Sequence, residues 1–231
     1  MAFDYFVEQL ASLHTTDGLV RAAIGVSMHA LEDVNPAHVT GRLDSLAQTV
    51  LGRVRAPNPS ALLAHLHDVL FVEEGFTGNR ENYYLAINSY LPVVLKTKRG
   101  LPIVLCLVYR AVAERVGLTV EGVNAPGHFL CRVKTDEGWM IVDPFFSGQT
   151  LSRPETFSRL ELALGQSLPD DNLYLATATN VDWLRRIIGN LQNLFRAEQH
   201  ADDLAAMNEM QSALTTAVSN LNRNLGPQKR A

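Results

Sequence analysis

Between Pro102 and Gly117 the chain reads PIVLCLVYRAVAERVG, and no other stretch limits the fold so strongly. Ile and Val at its start favour strands. The segment is too long for one, with Pro at the first helical position and Gly at its end, so it reads as a single helix. Its opening turns are apolar all round, which requires burial. Directly after Gly117 the apolar period changes to two. LTVEGVN, HFLCRVKT and GWMIVD read as three short strands, divided by turns at Ala125-Pro126-Gly127 and Asp136-Glu137-Gly138. A buried helix followed by a three-stranded meander predicts an α+β core, a small antiparallel sheet packed on a central helix.

Both flanks read as helical. Asp17 is placed to cap a stretch carrying Leu19, Ala22, Ala23 and Val26. Asn35-Pro36 opens a second helix with Val39, Leu43, Leu46 and Val50 on one face. APNPS at 56–60 reads as a loop from which Ser60 caps ALLAHLHDVLF. The polar, aromatic run GFTGNRENYYLAINSY reads as loop and short turns. It leads into LPVVLKTKRG, where Gly100 suits a turn or helix C-cap. Pro154 opens a later helix, Asn180 or Asp182 caps another through Phe195, and Asp202 starts the last, so the closing pair reads as an αα-hairpin. The terminal GPQKRA is expected to fray. This divides the chain into a helical N-terminal region (1–83), the α+β core (84–155) and C-terminal helices (156–231).

Composition narrows the function classes. Charged residues are 19% of the chain, below the roughly 25% of ordinary soluble domains, so much of it should be buried. The net charge is −4, and Lys96, Lys98 and Arg99 are the nearest approach to a basic run, so no nucleic-acid partner is expected. The apolar run at 101–109 is too short to span a bilayer, and the acidic, amphipathic start lacks a signal peptide's basic head. No membrane association is expected, and the cytoplasm is the expected location. Two cysteines, Cys106 and Cys131, make neither a disulfide framework nor zinc spacing. His65 and His67, two apart on a helix, point to different faces. No metal and no cofactor are expected.

One constellation could carry chemistry: a thiol on the buried helix, then His128, then Asp143 at the end of a strand. A thiolate nucleophile needs a neighbouring imidazole and gains from the positive end of a helix. The imidazole needs a third group to fix its tautomer. Adjacent antiparallel strands could set His128 beside Asp143. Against this, the helix's first turn is Pro102, Ile103, Val104 and Leu105, so Cys106 comes one turn late among apolar neighbours. There a thiol is either a small core hydrophobe or a nucleophile. Cys131, on the strand after His128, is expected to point to the other face as a structural residue. Tyr109 and Trp139 read as core or pocket-wall aromatics.

The blocks Arg99-Gly100-Leu101-Pro102, Gly122-Val123-Asn124, Pro126-Gly127-His128-Phe129-Leu130 and Asp143-Pro144-Phe145 resemble the transglutaminase-like domain of the bacterial SirB family, which a eukaryotic F-box protein also carries. With the upstream EGFTGNRENYYLAINSYLPVVL the likeness covers about residues 70–155. It implies a papain-type fold. It also implies Cys106, His128 and Asp143 as the positions to weigh for catalysis, and a C-terminal end like a shortened tetratricopeptide-like tail. Two functions follow as expectations. One is a non-catalytic or weakly active module that binds a protein or peptide in a cleft at His128 and Asp143. The other is a thiol-dependent acyltransferase or amide hydrolase.

Overall fold

The computed structural model describes residues 2–55 and 58–224. The loop expected at 56–60 lies partly outside them, and the tail expected to fray wholly so. The helices are α1 (Ala2–Gln9), α2 (Thr16–Ser27), α3 (Pro36–Leu51), α4 (Pro59–His67), α5 (Leu91–Thr97), α6 (Pro102–Arg115), α7 (Arg153–Leu164), α8 (Asn180–Ala197) and α9 (Ala201–Asn224). The strands are β1 (Thr77–Gly78), β2 (Arg99–Gly100), β3 (Val120–Val123), β4 (Leu130–Thr135), β5 (Gly138–Asp143), β6 (Gln149–Leu151) and β7 (Thr177–Ala178). The chain forms two compact units. One is the segment up to Val34 together with the chain from Asn180; the other is Asn35–Thr179.

The first unit is all helical. α1 and α2 bury Phe6, Leu19 and Ile24, α8 buries Trp183, Ile187 and Leu191, and α9 buries Met207 and Leu214. The closing pair α8 and α9 therefore has partners: α8 packs on α2, and α9 on α1. The cap of α2 is Thr15, whose hydroxyl accepts from the Gly18 N–H at 2.9 Å. Asp17, expected at that cap, lies in the first turn, where its charge still faces the positive helix end.

The second unit is built on α6. Residues 101–109 are all buried, and the helix lies against β3 and β4. Leu105, Leu107, Val108 and Val112 each contribute about 1.5–3 kcal/mol by leaving water. The sheet is antiparallel with strand order β6-β5-β4-β3-β7. Three strands were expected. The two edge strands are too short to show an alternating pattern and are set by pairing: Gly122 against Ala178 at one edge, Ile141 against Leu151 at the other.

Several boundaries differ from the sequence reading for local reasons. Pro36 takes the first helical position of α3 as read, with Asn35 as its cap, but α4 is capped by Asn58 rather than Ser60, because Pro59 takes the first helical position. The left-handed residue closing α5 is Lys98 (φ 63°), not Gly100, which pairs in β2. β1 and β2 form a short parallel ladder, Thr77 with Arg99 and Gly78 with Gly100, which brings the segment after Gly78 beside the start of α6. A Cβ on Gly78 would stand 2.3 Å from Cε2 of Phe145, so this approach requires glycine.

Candidate functional site

The site forms where the chain enters β4 and leaves β5. His128 follows the turn at Pro126-Gly127, with Gly127 at φ +71°, and its N–H donates to the Ala125 carbonyl at 3.3 Å. It was expected on a strand, but β4 begins only at Leu130, because the turn runs on past Gly127 before the ladder starts. Asp143 is the last residue of β5, and its carboxylate caps the short 3-10 turn Pro144–Phe146. Because Val142 pairs with Cys131, Asp143 falls one step beyond the ladder with β4, level with the run-in that carries His128. His128 Nε2 lies 2.9 Å from Asp143 Oδ2, and both residues are buried.

Asp143 has no exposed surface, and both of its carboxylate oxygens accept hydrogen bonds. Oδ1 accepts from the Phe145 N–H at 3.1 Å, and Oδ2 accepts from Arg159 Nη1 at 2.8 Å as well as from His128. A buried carboxylate needs such donors. Arg159, on α7, also donates through Nη2 to Gln149 Oε1 at 2.8 Å, and its guanidinium lies 3.8 Å from the Phe146 ring centre. Sequence reasoning missed Arg159. In SRLELALG it is one of several charges spread along the helix, with nothing to mark which strand end it would reach. The rings of Phe145 and Phe146 flank His128 at 5.9 and 6.3 Å between centres.

The structure does not bring Cys106 into this hydrogen-bonded set. It has no exposure, and its Sγ donates to the Phe129 carbonyl at 3.5 Å. Burial pushes its thiol well above the usual thiol range, and the neighbouring Cys131 and the charge of Asp143 push in the same direction. Cys131 Sγ donates to the Cys106 carbonyl at 3.6 Å, so both thiols sit in the α6–β4 interface. The first turn of α6 offers no nucleophilic side chain. The N–H groups of Val104 and Leu105 both donate to the Leu101 carbonyl at 3.1 Å.

A second polar pair lies behind α6. His67 Nε2 is 2.9 Å from the Tyr109 hydroxyl, and Phe71 stacks on Tyr109 at 5.9 Å. Burial lowers the His67 pKa to about 4 and raises that of Tyr109. Beside the site, Asn88 is a buried hub for the loop before α5. Its amide donates to the carbonyls of Asn82 (2.6 Å) and Tyr83 (3.0 Å) and accepts from Asn79 (2.9 Å). That loop ends in exposed apolar side chains at Tyr84, Leu85 and Ile87. Ring contacts run from Tyr84 through Tyr83 and Phe145 to His128. Among the described residues no three His, Cys, Asp or Glu come together as metal ligands, and no helix is long and apolar enough to cross a membrane.

Comparison with known proteins gives a consistent picture. A family model described as transglutaminase-like superfamily matches residues 37–189. A UPF0162 protein of Xylella fastidiosa (strain 9a5c) is 32% identical over 202 residues, covering 82% of this chain and 72% of that protein. A UPF0162 protein of Pseudomonas aeruginosa is 27% identical, over 85% of this chain and 71% of its own length. F-box only protein 21 of Homo sapiens is 28% identical over 197 residues, which is 73% of this chain but 30% of that protein. No solved structure matches.

Proposed function

The chain belongs to the transglutaminase-like superfamily, and from that premise we propose that it is a non-catalytic, SirB-type member that binds a protein or peptide segment beside His128 and Asp143. The observation that carries this reading is the position of Cys106. Its thiol is fully buried and its proton points to a main-chain carbonyl, so the imidazole has no nucleophile to activate. What is left is a fixed polar anchor, His128 on Asp143, joined through the rings of Phe145 and Tyr83 to the exposed Tyr84 at the head of an apolar loop segment. One oriented polar group beside an apolar surface suits recognition of a peptide. The papain-type ancestry of the core, a tetratricopeptide-like character for the last helices and residence in the cytoplasm form part of this reading.

A thiol-dependent acyltransferase or amide hydrolase is the second reading. The His128–Asp143 hydrogen bond favours it, since the same bond orients the imidazole in thiol enzymes. It further requires Cys106 to leave the core.

The binding reading is tested by selecting a phage-displayed random peptide library on the native protein. Selected peptides should bind wild type and lose at least tenfold in affinity on His128→Ala. Selection of no peptide that depends on His128 would contradict the reading.

A further inference from the structure

Arg159 bears on what the site can accept. Asp143 Oδ2 is shared by Arg159 Nη1 at 2.8 Å and His128 Nε2 at 2.9 Å. A guanidinium is always charged in a protein, so it already balances the buried carboxylate. An ionised carboxylate has no hydrogen to give, so the His128 nitrogen facing it is the one that carries the proton. The state of Nδ1 is then set by the charges around the ring. Arg159 lies 3.8 Å and Arg80 4.6 Å from the Phe146 ring centre, and His128 stands against that same ring. Among the described residues Arg80 has no carboxylate partner. A protonated His128 would set a second cation on a carboxylate that Arg159 already balances and that has no exposed surface, where charge is poorly screened.

Nδ1 is also the reachable atom. Among the described residues it has no hydrogen-bond partner, and it is not one of the buried polar atoms lacking one, so it touches solvent. We propose that Arg159 is a positioning residue that holds His128 as a neutral imidazole protonated on Nε2 alone, so that Nδ1 accepts a hydrogen bond and the site takes a peptide N–H donor rather than an anion. This rests on the binding reading above for its occupant, but not for the state of the ring.

The two parts are tested separately. Long-range proton–nitrogen NMR on the native, unliganded protein reads the protonation of each ring nitrogen. At pH 7.5 wild type should show a proton on His128 Nε2 and a bare Nδ1. A proton on Nδ1, alone or in addition, would overturn the inference whether or not any peptide binds. In Arg159→Met the uncompensated carboxylate should draw a second proton onto Nδ1, and Arg159→Lys should restore the bare nitrogen. A merely structural arginine would leave the ring's nitrogen signals unchanged in Arg159→Met, and that result would also overturn it. If the methionine variant does not fold, Arg159→Gln, which removes the charge but keeps an N–H donor for Asp143, is read in the same way and with the same two outcomes. With a peptide from the selection above, the Nδ1 signal should shift as it does on accepting a hydrogen bond. Displacement of that peptide by acetate at millimolar concentration would show an anion site and overturn the assignment of the occupant.

Discussion

His67 Nε2 and the Tyr109 hydroxyl lie 2.9 Å apart, a hydrogen bond that joins the end of α4 to the middle of the buried helix. Burial holds the His67 pKa near 4, below the ordinary 6.5. The unfolded chain therefore binds a proton that the native protein refuses, and stability falls as the pH drops from about 6.5 towards 4. Allowing for the part of the ring that stays solvated, the loss should be about 2–3 kcal/mol. His67→Gln keeps a polar partner for Tyr109 but should remove this slope. Urea melts between pH 4 and pH 7 on both proteins check it.

Gly78 is held by Phe145. In Gly78→Ala the added methyl would meet the ring at 2.3 Å, so the ring or β1 must shift. Overpacking of this kind costs about 1–3 kcal/mol. Phe145→Leu should recover part of the loss when combined with it, and a denaturation double-mutant cycle would show the coupling.

The buried Asn88 draws the loop before α5 together through three side-chain hydrogen bonds, with Asn79, Asn82 and Tyr83. Asn88→Ala leaves the Asn82 and Tyr83 carbonyls without this donor and should cost about 2–3 kcal/mol. Amide exchange should speed up in residues 79–87 while α6 keeps its protection.

Asp143→Ala removes the acceptor shared by His128 and Arg159. Breaking a buried pair from one side costs about 3–5 kcal/mol. The value should lie towards the lower end, because the Arg159 side chain keeps 17% exposure and can turn to water. Thermal unfolding of the variant measures the loss.

The core was legible where periodicity was long. The central helix announces itself by an apolar run too long for a strand, and the three middle strands by their alternation and their turns. The edge strands β6 and β7 were not legible, since two or three residues carry no period. Caps were misread wherever a neighbouring residue competed, as Thr15 did with Asp17 and Asn58 with Ser60. In the site, Pro-Gly-His and Asp-Pro are local signals and could be seen. Arg159 could not, because its partner is chosen by how α7 lies on the sheet and not by any spacing along the chain.

The central claim is that the imidazole of His128 has no thiol to activate. It is tested most directly by incubating the native protein with a peptide thioester, or with a glutamine peptide and a primary amine, and reading the intact mass. The buried thiol, its proton bound by the Phe129 carbonyl, predicts an unmodified chain after prolonged incubation at neutral pH. An acyl adduct on Cys106 that disappears in both Cys106→Ala and His128→Ala would contradict the claim and make this protein a thiol enzyme.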